Sequence, residues 1–217
     1  MAVPLSGRPE TRHLVIFVKA PRLGRVKRRL ARDVGAVEAW TFYRRTVEDA
    51  VRRLSRDPRW RTLLALAPDG AAHAGYRWPA IPRFGQGRGD IGARMYRALQ
   101  RPPPGSVVLI GGDIPDVGPR HVAEAFRLLG THDLVFGPAE DGGFWLVGAR
   151  RAPHFPCPFH DIRWSHPETL ADVRAALDSR TRVAEAGTLM DVDDGEALRR
   201  WRALSRRAAS RAPEGAA

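Results

Sequence analysis

The most informative segment spans residues 107–116 and reads Val-Val-Leu-Ile-Gly-Gly-Asp-Ile-Pro-Asp. Its four leading apolar residues predict a fully buried strand, because a half-exposed strand would alternate apolar and polar positions. Gly111 and Gly112 leave room for a ligand near the backbone, and Asp113 follows where the strand ends. Open α/β sheets bind ligands at the carboxyl ends of their strands. The segment therefore predicts a functional carboxylate at Asp113, with a turn-capping carboxylate as the alternative.

Strand-like and helix-like segments alternate outward from this strand along the whole chain. Further strands are expected at 14–18, 62–67, 134–137, 143–148 and 182–184, and helices at 26–31, 36–55, 90–100, 119–129, 165–177 and from 195. This alternation predicts one α/β domain with a mostly parallel central sheet and helices on both faces. Residues 13–207 are assigned to that domain, 1–12 to a flexible N-terminus and 208–217 to a disordered tail.

The composition narrows the possible partners and the compartment. The chain has 217 residues and a net charge of +12, but its arginines are spread over several predicted helices without a nucleic-acid motif. We therefore expect no nucleic-acid partner. Cys157 is the single cysteine, which excludes an intrachain disulfide and a zinc site built from several thiolates. No apolar run approaches the roughly 20 residues of a membrane span, so we expect a cytoplasmic protein. The sequence leaves the oligomeric state open.

Two glycine-containing segments are candidates for nucleotide binding. The loop at 19–30 contains Gly24 and the only two lysines, Lys19 and Lys27. Backbone amides and cations before a helix suit a phosphate or diphosphate, although a solvated basic loop is the alternative. The second segment begins at Gln86, whose amide can read a base edge. Asp90 lies in the same segment, and we expect it to cap the following helix.

Two acidic motifs are candidates for catalysis and metal binding. Residues 140–143, Glu-Asp-Gly-Gly, place an acid where it could act as a base toward an acceptor hydroxyl, with a hairpin turn as the alternative. Asp191 and Asp193 precede the last helix and offer oxygen ligands that suit Mg²⁺ or Mn²⁺. The alternative is that Asp193 and Glu196 form a capping pair. Trp145 and Trp164 suit either stacking on a sugar or base, or a place in the core.

Six motifs occur in order over nearly the whole chain. They are Val18-Lys-Ala-Pro with Gly24-Arg-Val-Lys27, Gln86-Gly-x-Gly-Asp-Ile-Gly-x-Arg-Met95, Gly112-Asp-Ile-Pro-Asp116, Pro138-Ala-Glu-Asp-Gly-Gly-Phe-Trp145, Trp164-Ser-x-Pro-Glu-Thr-Leu170 and Asp191-Val-Asp193. Together they resemble the bacterial GT-A-type glycosyltransferase-like family, formerly a domain of unknown function. Some of its members are linked to arsenosugar biosynthesis, and the family is related to small guanylyltransferases.

The resemblance implies a nucleotide-diphospho-sugar transferase fold and a set of roles for individual residues. It implies phosphate binding by Lys19, Arg25 and Lys27, and nucleotide contacts from Gln86, Gly87 and Asp90. It also implies a divalent metal on Asp113, with Asp193 as second ligand and Asp191 nearby. The chain departs from the Asp-x-Asp motif of typical glycosyltransferases of this fold, because it carries Asp113-Ile-Pro-Asp116. Asp116 is therefore not assigned as a ligand.

Three functions remain open, and glycosyl transfer is preferred. In this interpretation a Mg²⁺- or Mn²⁺-dependent enzyme transfers sugar from a nucleotide-diphospho-sugar to a small-molecule acceptor. Asp141 and Asp113 are its catalytic residues, and Gly142, Gly143 and Trp164 lie on the acceptor side. The second function is nucleotidyl transfer from an NTP to a phosphorylated small molecule. The third is a catalytically silent nucleotide-binding domain.

Overall fold

The computed structural model describes residues 11–72, 78–151 and 158–211. Its strands are β1 Arg12–Lys19, β2 Arg61–Ala67, β3 Arg83–Gly85, β4 Ser106–Gly111, β5 Leu134–Pro138, β6 Phe144–Arg150 and β7 Val183–Glu185. Its helices are α1 Arg28–Val34, α2 Ala36–Ser55, α3 Ile91–Gln100, α4 Pro119–Leu128, α5 Thr169–Ala175 and α6 Gly195–Arg211. No helix in these three ranges is long and apolar enough to cross a membrane.

The strands form one sheet in the order β3-β2-β1-β4-β6-β5-β7. Strands β1 to β4 pair in parallel, β7 is parallel to β5, and β6 is antiparallel to both of its neighbours. The predicted α/β fold with a mostly parallel sheet is confirmed. The chain winds outward from β1 to β3 and then returns to β4 on the other side of β1. This reversal opens a crevice at the ends of β1 and β4, where such sheets bind ligands.

The predicted buried strand is β4, the central strand of the sheet. Val108 and Ile110 pack into the core beneath α2 and α4, whereas Val107 and Leu109 pack into the core beneath α3. Helices therefore cover both faces of the sheet, which explains why the apolar run is continuous instead of alternating. Asp113 follows the strand closely, so its position relative to the sheet is fixed by the core.

Several local predictions hold and others need correction. Helix α2 has the predicted bounds, 36–55, but β3 lies within a region expected to be irregular. The helix predicted at 165–177 is shorter in the structure, because Ser165 adopts a left-handed backbone (φ 57°) and α5 begins only at Thr169. Helix α6 continues through Arg211, past the predicted start of the tail at 208. The rest of that tail, most of the N-terminal segment and Cys157 lie outside the described residues.

Candidate active site

A cleft of about 600 Å³ lies at the carboxyl edge of the sheet. The ends of β1 and β4 form its floor, α1 and α3 its sides, and the segment before α6 closes it. Among the described residues, six cations line the cleft, namely Lys19, Arg25, Lys27, Arg28, Arg29 and Arg94. Its carboxylates come from the loop after β4 and from the segment before α6, namely Asp113, Asp191 and Asp193.

Lys27 connects two of the predicted metal ligands. Its Nζ lies 2.8 Å from Asp113 Oδ2 and 2.6 Å from Asp193 Oδ1. The lysine side chain is only 4% exposed, so this is a buried ion pair and not a surface salt bridge. Lys27 also has a left-handed backbone (φ 43°), which costs a non-glycine residue about 1–2 kcal/mol. The two ion pairs hold the ammonium group at the cleft.

The cluster carries more negative charge than Lys27 neutralises. Burial lowers the pKa of the Lys27 ammonium, but the carboxylates of Asp113 and Asp193 outweigh burial and raise the pKa overall. For Asp113, burial raises the pKa, but the neighbouring ammonium group of Lys27 has the larger effect, so the pKa is lowered overall. Asp191 behaves differently, because burial and repulsion from Asp193 raise its pKa to about 7. The excess of carboxylates would favour an additional cation.

The carboxylates fit a divalent metal that the substrate helps to bind. Across the described residues, no three histidine, cysteine or acidic side chains converge as a complete metal site. Magnesium does not require such a set, because it commonly binds through one or two carboxylates together with substrate phosphates and water. Asp113 and Asp193 supply two carboxylates of this kind, both about one-third exposed or more toward the cleft.

The alternative interpretation of Asp193 as the cap of α6 is wrong, which supports its place beside Lys27 and Asp113. The residue that caps α6 is Asp194, whose Oδ1 accepts the Ala197 N–H at 2.9 Å. Asp193 faces Lys27 instead. Asp116 faces away from the cleft, where its Oδ1 accepts the Trp201 indole N–H at 3.0 Å.

Helix α2 holds the loop that carries the predicted phosphate ligands. The Tyr43 hydroxyl donates to Lys19 O (2.7 Å) and accepts from Lys19 N (3.1 Å), while Trp40 Nε1 donates to Pro21 O (3.0 Å). The side chains of Lys19 and Arg25 remain exposed at the cleft. Sequence reasoning missed this role of α2, because Tyr43 and Trp40 also match the apolar periodicity of a core-facing helix.

Gln86 is buried and already bonded to the protein. Its Nε2 donates to Val18 O (3.1 Å) and Ala65 O (2.9 Å), and its Oε1 accepts from Arg94 (3.1 Å). Base reading by this side chain would require one of these bonds to exchange, so the role stays a prediction. The arrangement instead presents Arg94 to the cleft, a cation to which the sequence analysis gave no role.

Asp90 and Gly87 shape the turn beyond Gln86. Asp90 caps α3, as predicted, by accepting the Ala93 N–H at 2.7 Å. The Gly87 N–H donates to Asp69 at 2.9 Å, and the Gly87 backbone is left-handed (φ 78°). Nucleotide binding by either residue stays a prediction.

The motif at 140–143 joins β5 to β6 in an antiparallel hairpin, which was the structural alternative. Glu140 turns outward and pairs with Arg200 at 2.7 Å, whereas Asp141 faces a smaller pocket beside the cleft. Asp141 Oδ1 accepts the Gly143 N–H at 2.9 Å. The hairpin and a catalytic role for Asp141 are therefore compatible.

The backbone of Gly142 lies close to the loop before α5, and its predicted place on the acceptor side stays a prediction. Its backbone is left-handed (φ 85°), its carbonyl accepts the Leu170 N–H at 3.0 Å, and a Cβ would overlap the Pro167 carbonyl. We expect Gly142→Ala to lower the free energy of unfolding by at least about 2 kcal/mol, from backbone strain and displacement of 167–170. Urea unfolding measures this loss. Gly70→Ala is the matched control, because a Cβ there meets open space; equal losses in the two variants would contradict the prediction.

The smaller pocket, hereafter the side pocket, has a volume of about 180 Å³ and opens beside the cleft. Asp141, Asp191, Phe144, Trp164 and His166 are among its lining residues. Trp164 packs edge-on against Phe144, with ring centroids 6.4 Å apart. Trp145 also lines the pocket, although it is 3% exposed and donates to Gly187 O at 3.0 Å. Both tryptophans thus belong to the core and also present surface to the pocket.

The fold places the chain among the transferases of the nucleotide-diphospho-sugar transferase fold class. The chain belongs to the bacterial family described as "Uncharacterized protein conserved in bacteria (DUF2064)", which matches residues 50–166. This confirms the family resemblance. Among proteins of curated function, no match was found.

Solved structures with the same fold include several transferases. A protein from Desulfovibrio desulfuricans G20, provisionally named a nucleotide-diphospho-sugar transferase, is 29% identical (TM-score 0.79; 94% of this chain, 91% of that one). The 4-diphosphocytidyl-2C-methyl-D-erythritol synthase of Anaerococcus prevotii DSM 20548 is 10% identical (TM-score 0.58; 91% and 99%). CMP:2-keto-3-deoxy-manno-octonic acid synthetase, solved with CTP, is 14% identical (TM-score 0.54; 91% and 99%). At these identities the last two show the fold alone.

Proposed function

We propose that this protein is a metal-dependent glycosyltransferase that uses a nucleotide-diphospho-sugar donor and a small-molecule acceptor. The observation that carries the proposal is the convergence of Lys19, Arg25 and the Lys27–Asp113–Asp193 cluster on one cleft. Exposed cations beside carboxylates that would hold a divalent metal are suited to a diphosphate leaving group, whose negative charge grows as its bond to the sugar breaks. The provisional name of the D. desulfuricans relative supports the same donor class.

Each part of the donor has a proposed place in the cleft. Lys19 and Arg25 bind the diphosphate, with Lys27 reaching it from between the two carboxylates. Asp113 and Asp193 would hold Mg²⁺ or Mn²⁺, which when bound supplies Lewis-acid stabilisation of the leaving group. The turn of Gln86, Gly87 and Asp90 contacts the nucleoside, with Arg94 beside it.

Asp141 is proposed to act on the acceptor side of the reaction. Its Oδ1 accepts the Gly143 N–H, which orients the carboxylate and leaves Oδ2 to take a proton from the acceptor hydroxyl. In an inverting transfer, that hydroxyl oxygen forms a bond to the anomeric carbon. The bond from this carbon to the diphosphate breaks, and the nucleoside diphosphate leaves with the electron pair.

Nucleotidyl transfer is the second candidate, favoured by the fold shared with two nucleotidyltransferases, one of them solved with CTP. The same cations could bind a triphosphate. The acceptor would then attack the α-phosphorus, and pyrophosphate would leave.

Ligand-dependent thermal unfolding tests donor binding. Nucleotide sugars and nucleoside diphosphates should raise the Tm more with Mn²⁺ than without it. At 100 times Kd, binding stabilises by about 2.7 kcal/mol, which corresponds to roughly 5–10 °C for a chain of this size. Nucleosides should give much smaller shifts because they lack phosphate. Absence of any nucleotide-induced shift in both conditions would contradict the proposal.

A further inference from the structure

We propose that the side pocket binds an acceptor that bears hydroxyl groups but no anionic group, such as a single sugar ring or a short polyol. The inference rests on the proposed glycosyl transfer and names the class of its acceptor. Four features of the side pocket lead to it: its charge, its hydrogen-bonding groups, its aromatic wall and its size.

The charges of the cleft and the side pocket are opposite in sign. Six cations line the cleft, whereas no lysine or arginine among the described residues lines the side pocket. Asp141 and Asp191 are its acidic residues. Arg163 lies on the loop that forms the pocket, but Asp172 holds it through contacts of 2.8 and 2.6 Å. A phosphate or carboxylate on the acceptor would therefore meet like charge and find no cation in the pocket.

The polar groups of the side pocket suit hydroxyls. His166 Nδ1 accepts the Glu168 N–H at 3.1 Å, so the proton of the neutral ring lies on Nε2, which can donate. The carboxylates of Asp141 and Asp191 can accept. A hydroxyl group both donates and accepts, and so can satisfy both kinds of partner.

Aromatic rings also line the side pocket. Phe144 and Trp164 meet edge-on, and Phe159 packs against Trp164 with centroids 5.9 Å apart. This packing fixes the rings, so they offer a rigid apolar surface at little entropic cost. The C–H face of a sugar ring is apolar while its edge carries hydroxyls, which matches a pocket lined by both aromatic and polar side chains.

The size and location agree with an acceptor. The volume of about 180 Å³ is below the roughly 300–1,000 Å³ of pockets for drug-sized ligands, so it suits one small ring. Six lining residues are common to the side pocket and the cleft, namely Ile91, Met95, Ile114, Phe144, Trp145 and Asp191. A hydroxyl beside Asp141 can therefore face a sugar carbon bound in the cleft.

Saturation-transfer NMR tests the acceptor class on the full chain, with the cleft occupied by Mg²⁺ and inorganic pyrophosphate. The binding of glucose, ribose and glycerol is compared with the binding of glucose 6-phosphate, ribose 5-phosphate and glycerate. We expect at least one non-anionic compound to bind at least tenfold more tightly than its anionic counterpart. In Asp141→Lys this preference should fall by tenfold or more. Glu140→Lys makes the same charge change one residue away, on the outward side paired with Arg200, and should keep the preference within about twofold.

The outcomes separate the acceptor class from the proposed function. Equal or tighter binding of the anionic compounds, failure of every non-anionic compound, or equal effects of the two lysine variants would each overturn the inference. Nucleotide binding is measured in parallel by thermal unfolding. Selective binding of neutral compounds without any nucleotide binding would support the inference about the pocket while rejecting glycosyl transfer.

Discussion

Asp113→Asn is expected to abolish metal-dependent nucleotide binding. The substitution keeps the size of the side chain but removes one of the two carboxylates that face the proposed metal position. We expect nucleoside diphosphates to bind at least about 100-fold more weakly in the presence of Mn²⁺, a loss of about 2.7 kcal/mol, and to gain nothing from the metal. Isothermal titration calorimetry with and without Mn²⁺ measures both quantities. Unaltered Mn²⁺-dependent binding in this variant would refute the assignment of Asp113.

Asp116→Asn is the matched control for this variant. Asp116 lies on the same loop, but its carboxylate bonds to Trp201 and faces α6. We expect the affinity of the Asp116 variant for nucleoside diphosphates in the presence of Mn²⁺ to stay within about twofold of that of the original chain. The Asp113 variant should also lose some stability, because Lys27 then retains only the carboxylate of Asp193. The calorimetry should therefore be performed well below the Tm of the Asp113 variant.

Lys27→Met is expected to weaken the binding of phosphates and to make stability dependent on metal. Without the ammonium, Asp113 and Asp193 face each other uncompensated. Removing one partner of a buried pair costs about 3–5 kcal/mol, and we expect about 1–3 here because both acids are partly exposed. Nucleoside diphosphates should bind at least about tenfold more weakly, while nucleosides should change little. Mn²⁺ should restore more stability to the variant than it adds to the original chain, because it replaces the missing cation.

Arg22→Met provides the control for Lys27→Met. It removes one positive charge from the same loop, at an exposed residue that does not line the cleft. Its stability and its preference for diphosphate over nucleoside should stay close to those of the original chain. Equal losses of diphosphate and nucleoside binding in Lys27→Met would contradict phosphate binding by Lys27. Equal gains from Mn²⁺ in that variant and the original chain would contradict the expectation that the metal replaces the missing positive charge of Lys27.

The sequence was most informative where one local pattern determines the structure. A continuous apolar run requires burial on both faces, so β4 and the position of Asp113 at its end could be predicted. The periodicity of residues 36–55 likewise defined α2, because one face of a long helix must be apolar. Strand β3 was missed, since three residues at the edge of a sheet bury too little to leave a pattern.

Side-chain partners from distant parts of the chain could not be predicted. Lys27 was noticed as one of two lysines, but its bond to Asp193 spans 166 positions and exists only in the folded chain. Gln86 was predicted to contact a nucleotide base. In the structure its side-chain amide donates to backbone carbonyls near the ends of β1 and β2, and no sequence pattern indicates such carbonyl partners. The turn at 140–143 could be predicted from its sequence. The position of Asp141 at the side pocket could not, because it depends on how the loop before α5 packs against the hairpin.

Product analysis tests glycosyl transfer most directly. The protein is incubated with Mg²⁺ or Mn²⁺ and neutral acceptors, once with a panel of nucleotide sugars and once with NTPs, and ³¹P NMR identifies the phosphorus products. We predict acceptor-dependent release of a nucleoside diphosphate from a nucleotide sugar. Asp141→Asn should slow this release by about 10²–10⁴-fold, and Asp113→Asn should abolish it. Protein-dependent release of pyrophosphate from an NTP, lost in Asp113→Asn and without turnover of any nucleotide sugar, would contradict glycosyl transfer and establish nucleotidyl transfer instead.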